Sequence, residues 1–284
     1  MGFSKRKYSF LFLKKGSILV ISIWILAIFS ILNISLYKMV SSYLKVVKRM
    51  RETAISRYLA KSASLYIQET LKEDETYYDT LYEINRPKEV KLEGGKFVFS
   101  LIDEESKINI NKAPLDVLAN LPGLDEEIAK KIKNFSPAPF YFKEELLIVE
   151  GINEEIFSKI KDLITVYGNG RVNINTAKAE VLKALGFDND LVRIIEEFRK
   201  GADGEELTED DGIFENVHSI IDNLRSFTPL YEKQEAIILE RISQGLLGVS
   251  SENYLAQIET YFLGEKKKFE ILLTTEKIKK WQEF

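Results

Sequence analysis

The sequence contains no cysteine and a single histidine, His218. These absences exclude disulfides, thiolate nucleophiles and zinc sites of the usual Cys/His kind, and they leave only His218 for a Ser-His-Asp arrangement. A net charge of −4 gives no general basic surface for nucleic acid. No segment resembles a phosphate-binding loop. Most enzyme classes therefore lack their usual residues, and the sequence favours a structural subunit over an enzyme.

Charge is also absent from a long stretch near the N-terminus. Residues 17–37 contain no charged residue, no proline and no glycine. About 20 apolar residues are what a helix needs to cross a bilayer. The run is longer than the apolar part of a cleavable secretory signal, and no small-residue cleavage site follows it. We therefore expect a transmembrane helix rather than a buried core helix.

The helical pattern continues past the uncharged run. No proline or glycine interrupts residues 17–71. We expect one helix, half in the membrane and half packed on a globular part through a single apolar stripe. The stripe residues are Met39, Val40, Tyr43, Val47, Met50, Ala54, Tyr58, Leu65 and Ile67.

Strand patterns lie on both sides of a long helical segment. After a Gly-Gly pair, apolar and polar residues alternate over residues 97–101, as in a strand entered from a tight turn. Residues 254–262 and 268–274 alternate in the same way, and residues 277–284 fit an edge strand protected by lysines. The sequence therefore predicts an α+β fold in which the helical segment is inserted between strands of one antiparallel sheet.

The helical segment repeats itself. The string ININ at residues 108–111 recurs as VNIN at residues 172–175, and the apolar positions that follow recur at the same 64-residue offset. Pro122 and Gly123 stand where a type II turn requires them, between two short amphipathic helices. These are helix-hairpin-helix units. Equivalent turns are predicted at Gly151 and Gly186.

Helix-hairpin-helix units often bind DNA phosphates through backbone N–H groups at the start of their second helix. The ININ string with Leu121-Pro122-Gly123 also resembles the corresponding domain of the membrane-anchored competence DNA receptor, which is the main alternative. Carboxylates at the hairpins, among them Asp125 and Glu126, would repel phosphate there. Residues 107–244 contain 17 basic and 26 acidic residues. We therefore expect no nucleic-acid partner.

Six carboxylates lie within nine residues beyond the last hairpin turn. An oxygen-rich loop with flexible glycines and no cysteine is suited to calcium, and a structural Ca²⁺ ion is predicted here. The alternative is a solvated acidic loop, because the spacing does not match an EF-hand. The candidate ligands are Asp203, Glu205, Glu206, Glu209, Asp210 and Asp211.

The start of the sequence resembles a type IV prepilin leader, because a short basic segment ends at Gly16 and the apolar run follows directly. The resemblance implies cleavage between Gly16 and Ser17 by a prepilin peptidase, methylation of the new N-terminus, and an anchor whose C-terminal end lies outside the cytoplasm. Most pilins carry glutamate at the fifth mature position, where this chain has Ile21. A subunit with no neighbour ahead of it needs no such charge in the bilayer. The alternative is that Ile21 is an ordinary lipid-facing residue.

Taken in order, the leader, the strand before the first ININ string, the duplicated helical segment, the acidic loop and the terminal Trp281-Gln282-Glu283 resemble the type II secretion minor pseudopilin K family (GspK). The resemblance covers essentially the full length. It implies a type IV pilin-like fold, in which a long N-terminal transmembrane helix packs on an antiparallel sheet. It also implies a large inserted α-helical domain of helix-hairpin-helix, SAM-like type.

The resemblance divides the chain into five expected segments. Residues 1–16 are the leader, 17–37 the transmembrane part of the helix, 38–106 the periplasmic helix and first strands, 107–244 the inserted domain, and 245–284 the C-terminal strands.

The same resemblance implies a non-enzymatic tip subunit that starts or caps the pseudopilus. Its expected partners are the I, J and H types of minor pseudopilin, the major pseudopilin and the prepilin peptidase. Its expected place is the bacterial inner membrane, crossed once, with the C-terminal domain in the periplasm. Calcium in the helical domain is known of relatives, whereas a disulfide found in many relatives cannot form here. A peripheral enzyme of unknown chemistry is a further alternative.

Overall fold

The computed structural model describes residues 15–136 and 138–284, and the chain divides into two compact units between Ile55 and Ser56. The helices are α1 (Lys15–Glu73), α2 (Leu81–Ile84), α3 (Leu115–Ala119), α4 (Glu126–Lys133), α5 (Glu154–Ile160), α6 (Ala179–Ala184), α7 (Asn189–Arg199), α8 (Ile220–Phe227) and α9 (Glu232–Ser243), with 3-10 helices at Lys143–Ile148 and Val217–Ser219. The strands are β1 (Lys88–Leu92), β2 (Gly95–Asp103), β3 (Ile108–Asn109), β4 (Ile164–Thr165), β5 (Val172–Asn173), β6 (Leu247–Gly248), β7 (Tyr254–Phe262), β8 (Glu265–Leu273) and β9 (Ile278–Glu283).

The first unit contains the N-terminal part of α1. Neither proline nor glycine interrupts this helix after Gly16. Within the described residues, Ile18–Glu73 is the helix long and apolar enough to cross a membrane, with a mean hydropathy of 2.5 in its most apolar window and none of that window buried. Side chains exposed in this way suit a lipid environment. The predicted long apolar helix is confirmed.

The second unit contains a five-stranded antiparallel sheet with the order β1-β2-β7-β8-β9. Strand β2 is paired with β7 along its length, and Asp103 at the end of β2 lies opposite Tyr254 at the start of β7. The chain between these two residues forms helices and two short strand pairs. The predicted α+β fold, with a helical insertion between neighbouring strands of one sheet, is confirmed.

The part of α1 that belongs to the second unit lies on one face of this sheet. Ala60, Ala63 and Ile67 are buried in one core with inward residues of β2, β7 and β8. Small alanine side chains let a helix approach the strands closely, as a densely packed core requires. The predicted stripe was therefore wrong for eight of its nine residues, and only Ile67 is buried. Tyr58 and Leu65 are 72% and 56% exposed, because the buried face runs through the alanines instead.

The insertion consists of two repeats of one helical unit. The first repeat (residues 108–165) runs from β3 through α3, α4, the first 3-10 helix and α5 to β4, and the second repeat (residues 172–248) runs from β5 through α6, α7, the second 3-10 helix, α8 and α9 to β6. In each repeat the opening strand pairs in parallel with the closing strand. Both repeats contribute to one hydrophobic core, which is distinct from the core between α1 and the sheet.

The asparagines of the two ININ-type strings explain why each repeat folds alike. Asn109 and Asn173 each accept a hydrogen bond, at 3.0 Å, from the backbone N–H two residues further on. The next asparagine of each string exchanges two hydrogen bonds with the backbone of a distant phenylalanine. These pairs are Asn111 with Phe140 and Asn175 with Phe214. The duplication therefore extends beyond the part that the sequence repeat shows.

Candidate functional site

The predicted processing point lies at the start of α1. The helix begins at Lys15 and includes Gly16 and Ser17. The rest of the predicted leader, residues 1–14, lies outside the described residues. Ile21 is 48% exposed in an apolar stretch of the helix. Cleavage after Gly16 and the role of Ile21 stay predictions.

The first predicted hairpin turn, at Pro122-Gly123, has the expected geometry. The N–H of Leu124 donates to the carbonyl of Leu121 at 3.0 Å, and Gly123 has a φ of +82°. Proline before a glycine with positive φ is the arrangement of a type II turn. Helices α3 and α4 therefore form the first hairpin.

The second hairpin joins the first 3-10 helix to α5 through Gly151, whose φ is +99°. The two hairpins pack on each other reciprocally. A Cβ added at Gly151 would lie 3.1 Å from Ile128 of α4, and one added at Gly123 would lie 3.5 Å from Ile156 of α5. Each glycine thus leaves room for the first turn of the opposite helix. Both positions need glycine for their backbone conformation, and at Gly151 space is short as well.

The helix starts that bind phosphate in DNA-binding hairpins are capped by their own side chains here. Asp125 accepts from the N–H of Ile128 at 2.8 Å in α4, and Asp188 accepts from the N–H of Leu191 at 2.8 Å in α7. In α5 the cap is Asn153. An anion at the starts of α4 and α7 would meet a carboxylate, and at the start of α5 the side-chain oxygen of an amide.

Three lysines in the last turns of α4 and α5 are also neutralised. Each forms an ion pair with a glutamate one turn earlier on its own helix. The pairs are Lys130–Glu126 at 2.6 Å, Lys131–Glu127 at 3.1 Å and Lys159–Glu155 at 2.7 Å. The hairpin surface of the first repeat therefore offers little positive charge to a phosphate backbone.

The second repeat contains one hairpin that was predicted and one that was not. Gly186, with a φ of +89°, makes the predicted turn between α6 and α7, and a Cβ there would lie 3.1 Å from Nη2 of Arg241 in α9. Helices α8 and α9 form a further hairpin. Their connection, residues 228–231, contains Pro229 but no glycine. This turn was not predicted because it has no glycine, although Pro229 was an available signal.

The predicted acidic loop occupies residues 200–213, between α7 and the asparagine-bound Phe214. In the first repeat the same connection takes only residues 134–139. The loop contains all six predicted ligands, and each of them is exposed except the half-buried Asp211. The loop is thus an enlargement that belongs to the second repeat alone.

The loop carboxylates are used in hydrogen bonds within the loop. Oδ2 of Asp210 accepts from the N–H groups of Ala202 and Asp203 at 2.8 and 3.0 Å, and Oδ2 of Asp211 accepts from the N–H of Leu207 at 3.0 Å. No group of three or more His, Asp or Glu side chains among the described residues is placed to hold a metal ion. These carboxylates would have to turn to bind calcium, so the calcium site stays a prediction.

A buried polar cluster lies where the insertion leaves and rejoins the sheet. It contains three carboxylates, of Asp79, Asp103 and Glu105, each at most 7% exposed. Their hydrogen-bond donors come from the second repeat and from the return segment to β7. Asp103 accepts from Asn173 at 3.0 Å and Thr176 at 2.5 Å, Glu105 from the side chain of Asn253 at 2.7 Å, and Asp79 from Tyr254 at 2.8 Å.

Burial disfavours the charged form of these acids. It raises the pKa of Asp79 to about 6 and that of Glu105 to about 7, and it raises the pKa of Asp103 as well. Among the described residues, no lysine or arginine forms an ion pair with any of the three. This cluster was not predicted from the sequence, because its members are separated along the chain by as many as 175 residues.

Comparison with known proteins agrees with this architecture. A family model described as "Helix-hairpin-helix motif" matches residues 103–165. The structure is similar to a chain of the GspK–GspI–GspJ complex of the type 2 secretion system from enterotoxigenic Escherichia coli. The TM-score is 0.60 at 16% sequence identity, and the match covers 84% of this chain and 99% of that chain. No curated protein matches this chain.

At this level of identity the structural likeness shows the fold. The chain has a pilin-like arrangement of a long N-terminal helix on an antiparallel sheet, together with a helical region that contains the helix-hairpin-helix motif. The predicted resemblance to the pseudopilin K fold is confirmed in that sense. The match to the motif covers the first repeat, and the second repeat is evident from its geometry.

Proposed function

We propose that this protein is a non-enzymatic minor pseudopilin of the K type, which acts at the tip of a type II secretion pseudopilus and starts or caps its assembly. The observation that carries the proposal is the place of the insertion. Two helical repeats lie between the paired strands β2 and β7 of a pilin-like sheet, in a chain that begins with a long apolar helix. The solved chain that shares this architecture belongs to a complex with GspI and GspJ.

The proposed mechanism is mechanical. The apolar part of α1 holds the protein in the inner membrane as a single-pass anchor, with the C-terminal part in the periplasm. Packing of α1 against the helices of other subunits drives association, and the bulky insertion restricts the subunit to the end of a fibre. The proposed partners are minor pseudopilins of the I, J and H types and the major pseudopilin. Ile21, in place of an acidic residue, fits a subunit that has no neighbour ahead of it.

Processing by a prepilin peptidase gives the most direct test of this proposal. We expect co-expression of the chain with such a peptidase to yield a mature protein whose first residue is Ser17, detected by mass spectrometry of the N-terminal peptide. Gly16→Leu should abolish cleavage, whereas Gly16→Ala, with a small side chain at the same position, should retain much of it. Equal cleavage of both variants, or function without cleavage, would contradict the proposal.

DNA binding is the second candidate, because the helix-hairpin-helix motif matches residues 103–165. The capped helix starts and paired lysines support the view that the full chain in detergent does not bind duplex DNA at 50 or 200 mM salt. A quadruple variant at the hairpin surface, with Glu126, Glu127, Glu154 and Glu155 each changed to Lys, should gain salt-dependent binding. Binding by the unmodified chain that weakens steeply with salt would favour the DNA receptor instead.

A further inference from the structure

The segment of α1 that follows the uncharged run carries an unusual concentration of positive charge. Residues 1–51 contain ten Lys and Arg residues and no Asp or Glu. Five of these basic residues follow the uncharged run, and all five are exposed on the helix: Lys38, Lys45, Lys48, Arg49 and Arg51. Because the positive-inside rule places basic residues mainly on the cytoplasmic side, this second cluster requires its own explanation.

Three of the five cations share one face of the helix. Lys38, Lys45 and Arg49 are separated by seven and four residues, which places them within about 40° of one another around a helix of 3.6 residues per turn. Lys48 pairs with Glu52 at 3.6 Å. Within the described part of the chain, no acidic side chain lies within ion-pair distance of Lys38, Lys45 or Arg49. We call Lys38, Lys45 and Arg49 the cationic stripe.

The opposite face of the same segment is apolar apart from Arg51. Its side chains are 42–72% exposed: Met39, Val40, Tyr43, Leu44, Val46, Val47 and Met50. A helix with one apolar and one basic face is typical of segments that contact a membrane surface. Tyr37, 76% exposed at the end of the uncharged run, stands where interfacial aromatic residues concentrate. Both features place the bilayer surface close to Lys38.

The direction of the side chains brings the stripe nearer to that surface. In an α-helix each Cα–Cβ bond tilts toward the helix N-terminus, and here the membrane-spanning part lies on the N-terminal side. At about 1.5 Å per residue, Lys45 is about 10 Å and Arg49 about 16 Å beyond Lys38 along the axis. Long side chains that point back toward the membrane cover part of these two distances. The remaining gap is comparable with the Debye length of about 8–10 Å.

We propose that the cationic stripe binds the anionic phosphate headgroups of the membrane that α1 spans, and so fixes the depth of the anchor. This inference rests on the membrane anchor of the proposed function. Each basic residue near an anionic surface raises the binding constant for that surface by roughly fivefold. An acidic partner protein is the other class of ligand for this stripe. The lipid is favoured because the stripe begins at the first residue after the uncharged run and points toward the bilayer.

The test uses the full chain in vesicles of phosphatidylcholine with spin-labelled lipids as probes. Electron paramagnetic resonance measures how strongly labelled phosphatidylglycerol, relative to labelled phosphatidylcholine, is immobilised by the protein. We expect a preference of about fivefold or more for phosphatidylglycerol in low salt, reduced toward unity in 0.5 M salt. In the variant Lys38→Gln/Lys45→Gln/Arg49→Gln this preference should be at least threefold smaller.

A matched control removes the same charge elsewhere. Lys130→Gln/Lys159→Gln/Arg193→Gln changes three exposed residues of α4, α5 and α7 and should keep the full preference. An unchanged preference in the stripe variant would overturn the inference, and the acidic partner would then be the better explanation. A chain that immobilises no lipid at all is not inserted, and that result would overturn the membrane anchor itself.

Discussion

In the first repeat the side-chain amide of Asn109 donates to the carbonyl of Tyr167 at 2.7 Å, just beyond the repeat's closing strand β4. Its counterpart in the second repeat, Asn173, lies within hydrogen-bond distance of Asp103, of the carbonyl of Asp79 and of Ser251, all outside its repeat. The same residue in the same local turn therefore closes one repeat and attaches the other to the sheet. Among the residues that the structure describes, Asn109 makes no such attachment, although Thr165 of the first repeat donates to Glu104 at 2.6 Å, so the second repeat provides more of the buried hydrogen bonds between insertion and sheet.

The largest expected effect separates these two asparagines. Asn173→Ala removes a buried amide within hydrogen-bond distance of two buried groups and of the half-buried Ser251, and it should lower the free energy of unfolding by about 4 kcal/mol, whereas Asn109→Ala should lower it by about 2 kcal/mol. Urea unfolding of the full chain in detergent, followed by near-UV circular dichroism, measures both. Equal losses would show that the second repeat is not the connecting one.

The buried carboxylates at this connection predict a pH dependence. A raised pKa means that the folded protein binds the proton more tightly than the unfolded chain does, so stability falls as pH rises from the ordinary carboxyl pKa through the raised value. For Glu105, with a pKa of about 7, the loss approaches about 3 kcal/mol above pH 7. Acids with a lowered pKa, such as Glu259 at about 2, are ionised throughout this range and add no slope.

Unfolding measured between pH 5 and pH 8 should therefore show falling stability in the unmodified chain. Glu105→Gln, which cannot ionise, should flatten this slope, and Glu154→Gln at the exposed start of α5 should leave it unchanged. If Glu105→Gln retains the full slope, then the carboxylate cluster is not its source.

A smaller effect distinguishes the hairpin turns of the two repeats. Gly151→Ala adds both strain at positive φ and a tight contact with the half-buried Ile128, so we expect a loss of about 3 kcal/mol. At Gly186→Ala the tight contact is with Nη2, the terminal atom of Arg241, and we expect a loss of about 2 kcal/mol. Gly94→Ala, with positive φ but open space, is the control at about 1 kcal/mol. Identical losses at all three would leave backbone strain as the only cause.

The smallest expected effect concerns the enlarged loop of the second repeat. If it binds calcium, millimolar Ca²⁺ should raise the free energy of unfolding by about 1 kcal/mol or more relative to a chelator. Asp203→Asn/Asp210→Asn/Asp211→Asn should remove this increase, and Glu126→Gln/Glu127→Gln/Glu154→Gln should not. Equal stability of the unmodified chain in calcium and in chelator would contradict the predicted site.

The sequence allowed the long helix, the sheet and three of the hairpin turns to be predicted, because each rests on a local pattern. The uncharged run, alternating strands and glycine turns all act within a few residues. The α8–α9 hairpin was missed because its turn uses Pro229 without glycine, and the packing face of α1 was misjudged because alanines rather than large apolar residues fill it. The buried acids of the connection were missed because only the fold brings Asp79, Asp103 and Glu105 together.

The central claim is that the chain assembles with other minor pseudopilins through a processed, membrane-anchored helix. The most direct measurement is co-purification from membranes that contain a prepilin peptidase and tagged GspI-type and GspJ-type subunits. We expect the mature chain to elute with both subunits. Gly16→Leu should abolish the complex while leaving the protein in the membrane. A mature chain that elutes alone while the two tagged subunits bind each other would contradict it.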